Sequence, residues 1–111
     1  MADLNVFRNI SKTVGTSLDS LYAAPATYTG IVLSSVVTNT SDSDIWLNFT
    51  IQDSTGDSAT ELLSQFTIPA RDTLNATSGK LVVTANGILK VQAQKANKLK
   101  AVIGILESLD G

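Results

Sequence analysis

The sequence predicts an all-β fold, an antiparallel β-sandwich of about eight strands, and three observations lead there. Large apolar side chains recur at every second position in several segments, and turn-forming residues separate those segments at short intervals. The chain has 111 residues, 43% of them hydrophobic, which is enough for one core. Many short strands with little helix cannot hide their apolar faces in one flat sheet, so two sheets must pack together or close into a barrel. Immunoglobulin-like connectivity is slightly favoured over a jelly roll.

The elements follow in chain order. The whole of 1–111 reads as one domain, with residues 1–8 either an N-terminal arm or the first strand. Asn9 to Val14 and Ser17 to Ala23 read as two short strands around Gly15. Thr29 to Thr38 is β-branched and apolar on both faces, the pattern of a central strand covered on both sides, and Val102 to Leu106 is similar. From Ile45 to Gln52 the odd positions Ile45, Leu47, Phe49 and Ile51 share one face, and Trp46 lies on the other. Leu62, Phe66 and Ile68 stand against Gln65 and Thr67, while Leu89, Val91 and Ala93 stand against Lys90, Gln92 and Gln94. Leu81 to Thr84 adds another strand.

Breaks fall at Ala24-Pro25-Ala26, residues 39–44, 53–57 and 69–72, and Ser78-Gly79, all rich in turn formers. Asn86-Gly87 lies between two strand patterns and predicts a tight type I′ hairpin. Ser58-Ala59-Thr60-Glu61 matches a helix capping box, but the alternation that follows and Pro69 favour a strand.

Composition excludes much chemistry. With no His and no Cys, the chain has no thiol nucleophile, no His general base and no Cys/His zinc site. The reading is a non-enzyme without cofactor or metal. Asp42-Ser43-Asp44 and Asp53 to Asp57 space carboxylates as a calcium site would, but neither has the mid-loop Gly and closing Glu of an EF-hand. Plain acidic turns are preferred. The N-terminus has no basic segment followed by a long apolar run, which predicts no signal peptide, and apolar runs of three or four residues are far too short to span a bilayer.

Charge is divided along the chain. Residues 1–72 carry three basic and eight acidic groups, whereas residues 73–111 carry five Lys and two acids. Lys80, Lys90, Lys95, Lys98 and Lys100 therefore crowd the last third. Without Arg or interleaved aromatics, that cluster argues against nucleic acid and for protection of a sheet edge or contact with an acidic protein. Trp46, the sole Trp, is either core or an interface anchor. The candidate partner-interface residues are Trp46, Lys90, Lys95, Lys98 and Lys100. Trp46 with Tyr22 and Tyr28 makes a poor sugar platform.

Four stretches carry a family likeness: Ile10 to Ala26, Ile31 to Ser41, Thr67 to Leu74 and Gly79 to Ala93. Together they resemble small β-sandwich virion proteins of tailed bacteriophages. The resemblance spans roughly residues 10 to 106 and lies in strands and turns, not in a catalytic signature. Such proteins commonly read Ile-Pro-Ala-Gly-Asp where this chain has Ile68-Pro69-Ala70-Arg71-Asp72, and Ala-Gly-Asp where it has Ala85-Asn86-Gly87. The resemblance implies a capsid decoration or cement protein, located in the virion and made in the host cytoplasm. It implies the major capsid protein as partner and a homo-oligomer, a dimer or trimer. A neck or tail accessory protein, or a host-surface or carbohydrate-binding module, is the alternative.

Overall fold

The computed structural model describes residues 5–53, 59–77 and 80–109. Nine strands follow in order: β1 (Asn5–Thr13), β2 (Asp19–Ala23), β3 (Tyr28–Asn39), β4 (Ile45–Gln52), β5 (Thr60–Ile68), β6 (Thr73–Asn75), β7 (Leu81–Val83), β8 (Ile88–Ala93) and β9 (Leu99–Leu109). They form two antiparallel sheets. The first runs β1-β9-β3, with β6 and β7 both on the open side of β3, and the second runs β2-β8-β4-β5. The chain is an all-β sandwich.

Six of the eight connections cross from one sheet to the other. With β6 and β7 counted as one broken strand, this is the strand order of a jelly roll and not of an immunoglobulin domain. The slight preference for immunoglobulin-like connectivity is corrected accordingly. Turn residues mark where a chain reverses; they do not say which sheet it enters next.

The Asn86-Gly87 hairpin is corrected for the same reason. β7 and β8 lie in different sheets, so no two-residue hairpin joins them. The turn spans Thr84 to Gly87, closed by the Gly87 N–H donating to the Thr84 carbonyl at 2.8 Å, and Asn86 alone takes the positive φ of 67°. That is the sign pattern of a type II turn. Gly87 is needed for space, since an added Cβ would stand 2.8 Å from the Thr84 oxygen and 3.0 Å from Val83 Cγ1.

Other differences are local. The first strand begins by Asn5, and the three-residue β6 has no separate signature in the alternation. Residues 60–68 are strand, as the alternation favours, whereas Ser58 of the capping-box match lies outside the described residues. The alternation there also slips. Two register shifts between β4 and β5 pair Leu63, Phe66 and Ile68 with Phe49, Leu47 and Ile45, and Gln65 absorbs the irregularity with φ 46°.

The core fills the space between the sheets. Ile45, Leu47 and Phe49 of β4 and Leu89 and Val91 of β8 face Val32 of β3 and Ile103 and Ile105 of β9, all fully buried. Burying each such side chain stabilises the fold by about 1.5–3 kcal/mol. Period-two alternation is thus satisfied on the inner face of both sheets.

Candidate functional site

The outer faces of the two sheets differ in chemistry. On the first sheet, register places Phe7 opposite Leu106, Leu106 opposite Ile31, and Ile31 opposite Val82, an apolar row across four strands. Val102 and Val36 form a second apolar pair. A bulge between Val32 and Ser34 lets the consecutive Leu33 and Ser34 both point outward before Ser35 returns to the interior. Phe7 is 74% exposed, Val82 53%, Val102 46% and Leu33 42%.

The expectation that Thr29 to Thr38 and Val102 to Leu106 are covered on both sides is therefore corrected. β3 and β9 are central in their sheet, but among the described residues only their inner face is covered. No described element of the chain packs over the other side.

On the second sheet the outward residues of β4 and β8 are Trp46 and Asn48, with Ile88, Lys90 and Gln92, while Thr50 and Gln52 follow in the same register but are buried. Asn48, Gln92 and Gln94 are hydrogen-bonded within the chain, whereas the buried Thr50 hydroxyl has no hydrogen-bond partner among the described residues. Asn48 Nδ2 donates to Gln92 Oε1 at 2.9 Å, Gln92 Nε2 donates to the Thr16 carbonyl at 2.9 Å, and the Trp46 N–H donates to Gln94 Oε1 at 3.3 Å. Trp46 is half-buried, opposite Thr67 of β5.

The five candidate residues do not gather at one place. Trp46 and Lys90 share the outer face of the second sheet, whereas Lys100 lies on the outer face of the first, between Thr13 and Thr38. Lys95 and Lys98 are exposed in the loop between β8 and β9. The cluster legible along the chain is spread over opposite sides of the sandwich. The signal for Leu33, Val102 and Leu106 is the apolar character of both faces of residues 29–38 and 102–106, whereas Phe7 and Val82 join them only through strand register.

The acidic turns have structural partners. Arg71 holds Asp42 Oδ1 with Nε at 2.8 Å and Nη2 at 2.7 Å, and Asp44 Oδ1 accepts from the Ala70 N–H at 3.0 Å. Arg71 does so at φ 64°, at the position where the resembling proteins carry Gly. Buried Asn39 ties the same loop, donating from Nδ2 to the carbonyls of Ser43 at 2.8 Å and Ile68 at 2.9 Å. Asp53 is exposed, and Asp57 lies outside the described residues. Among the described residues no three acidic side chains converge as a metal cage would require.

One polar cluster joins the sheets. Tyr22 of β2 passes over Gly30 of β3 and donates its hydroxyl to Glu107 Oε2 on β9 at 2.7 Å, while Arg8 Nη1 stands 3.3 Å from Glu107 Oε1. Gly30 is Cα-paired with Glu107, and a Cβ there would meet the Tyr22 oxygen at 2.6 Å. Burial first, then the hydrogen bond and charge of Glu107, hold the Tyr22 phenol well above its ordinary pKa. The chemistry is that of a satisfied structural triad: no hydroxyl is made nucleophilic, because its proton is held more tightly.

No protein-family model matches the chain, and no curated protein is similar to it in sequence. Solved structures do match. A chain of the acid-stable capsid of Helicobacter pylori bacteriophage KHP30 superposes with TM-score 0.58 at 12% identity, covering 100% of this chain and 92% of that one. A chain of the Bacillus endospore appendages, which form disulfide-linked pili, gives TM-score 0.57 at 10% identity, covering 96% of this chain and 88% of that one. A pentameric capsid protein isolated from metagenomic phage sequences gives TM-score 0.45 at 16% identity, covering 90% and 60% respectively. At such identities the likeness is one of fold.

Proposed function

We propose that this chain is a non-enzymatic structural protein of a bacteriophage virion, a capsid decoration or cement protein that docks on the head shell and whose copies associate. The observation that carries the reading is the outer face of the first sheet, whose apolar residues no other described element covers. A small sandwich with such a face is completed by neighbours. The likeness to a phage capsid chain over the full length supports the setting. The titratable side chains also fit: Asp42, Asp44 and Glu107 hold turns and sheets together. Trp46 with Lys90 on the second sheet, and Lys95, Lys98 and Lys100, are the candidates for contact with the major capsid protein, with charge tuning the docking.

Two other readings receive less support. A host-surface or sugar-binding module needs an aromatic platform, whereas Tyr22 is buried between the sheets and Trp46 and Tyr28 are half-buried. A covalently linked pilus of the kind formed by the endospore appendages needs cysteines, and this chain has none. Cosedimentation of the purified protein with phage heads, tails and DNA tests the proposal. Binding to heads that moderate salt weakens only slightly is expected, since apolar burial is not screened. Binding to tails alone would move the protein to the neck or tail, and binding to DNA that collapses with salt would overturn the reading.

A further inference from the structure

The outer face of the first sheet has a geometry that restricts what covers it. Its rows, read along β9, run Thr13-Lys100-Thr38, then Ser11-Val102-Val36-Asn75, then Asn9-Gly104-Ser34, then Phe7-Leu106-Ile31-Val82, then Asn5-Ser108-Thr29. The apolar row Phe7-Leu106-Ile31-Val82 and the apolar pair Val102-Val36 flank a low middle row, and neutral polar residues close one end. Lys100 is the only charge in these rows and no acid is present, while the half-exposed Arg8, paired with Glu107, borders the middle row. A charged partner surface would leave its own groups desolvated and unpaired against such a face. A surface of the same composition would not.

The rows are also arranged so that the face complements itself. We propose that this face packs against the same face of a second copy of the chain, about a twofold axis running across the strands at the level of Gly104. That rotation lays each row of one copy over the row equally far from Gly104 on the other side. Val102 then meets Leu106 and Val36 meets Ile31 at the centre, Phe7 and Val82 lie over Ser11 and Asn75 at the margins, and the Gly104 row faces itself. The middle row is low because Gly104 has no side chain, leaving a shallow depression of about 280 Å³ between Phe7 and Leu33. An isologous contact makes each of these apolar pairs twice, once on either side of the axis.

Charge and area agree with this arrangement. Lys100 is four residues from Gly104, about 13 Å along the strand, so the two Lys100 side chains lie about 27 Å apart, well beyond a screening length of about 8–10 Å. Each faces the neutral Asn5-Ser108-Thr29 row of its partner. Three strands about nine residues long, with the three-residue β6 and β7 beside them and about 4.8 Å between neighbours, give a flat area of about 500 Å², which over two partners reaches the roughly 1,000 Å² at which specific interfaces begin. The pairing would also cover the second side of β3 and β9, as their apolar composition requires.

This assignment rests on the reading that copies associate, and the test separates the two. Sedimentation equilibrium of the full chain from micromolar to near-millimolar concentration should fit a monomer–dimer equilibrium. Phe7→Lys and Val82→Lys, each shown by circular dichroism and melting to be folded, should weaken the dimer by about tenfold or more, whereas Ser20→Lys on the other sheet should leave it unchanged. A monomer at all concentrations, or a trimer, overturns the proposal. So does a dimer that both face variants leave intact, although copies would still associate. If the wild type is monomeric and Phe7→Lys instead abolishes binding to heads, the face belongs to the shell and the second-copy proposal fails while the virion role stands.

Discussion

The outer face of the first sheet and that of the second are made by the same alternation rule and end with opposite chemistry. Around Gly104 the first presents Phe7, Leu106, Ile31 and Val82 with their side chains open, whereas the second presents Asn48 bonded to Gln92 and Gln92 bonded to Thr16. The second face has found partners within its own chain. Among the described residues the first has not, and the contrast teaches that a strand apolar on both sides announces two coverings, of which these residues supply only one.

The two faces are held in relation to each other by the point where the second sheet reaches into the first. Gly30→Val would drive a side chain into the Tyr22 ring, where even a Cβ sits 2.6 Å from the phenol oxygen, and should cost about 3 kcal/mol. Urea unfolding measures it; an unchanged midpoint would break the account of how the sheets are joined. Glu107→Ala strands the Tyr22 hydroxyl and should cost about 1–3 kcal/mol in the same assay, with Glu107→Gln costing less because its amide oxygen still accepts.

Tyr22 gives that joint a pH signature. Its pKa is raised in the folded state by burial and by Glu107, so its contribution is fully present below the free phenol's pKa of about 10 and is lost as pH rises above it, where the unfolded chain ionises first. Tyr22→Phe should flatten the alkaline fall in melting temperature. A fall of equal steepness in the variant would place the effect elsewhere.

Smaller effects belong to the periphery. Gly87→Val should cost about 1 kcal/mol or more through the close approach of Thr84 and Val83, so Gly87→Ala should share most of the loss. If only the β-branched variant suffers, backbone conformation matters and space does not. Asn48→Ala removes a hydrogen bond on the second face and should cost about 0.5–1.5 kcal/mol without altering self-association, which sharpens the contrast with Val82.

Much of the sandwich was legible because burial on one face imposes period two, which β8 shows throughout and β4 shows from Ile45 to Phe49 before Thr50 is buried beside it. The residues of β5 blur the pattern because its two register shifts move Phe66 and Leu63 out of simple alternation. Sheet assignment was not legible: Asn86-Gly87 reads as a hairpin, yet the chain crosses there to the other sheet. The candidate site was legible only in part. Lys90 and Lys100 are ten residues apart in sequence and look like one patch, but the crossing between β8 and β9 sends them to opposite sides. Conversely, Phe7 and Val82 are distant in sequence and are joined in one row only through β9 and β3.

The account's central claim is that the first sheet's outer face is the one that becomes covered, and the absence of cysteine makes a direct measurement available. Single-cysteine variants Val82→Cys and Ser20→Cys report one exposed position on each outer face. Their maleimide labelling rates should be compared across protein concentration. Labelling at Val82→Cys should slow as concentration rises while labelling at Ser20→Cys stays constant. Equal, concentration-independent rates at both positions, or slowing at Ser20→Cys alone, would contradict the claim.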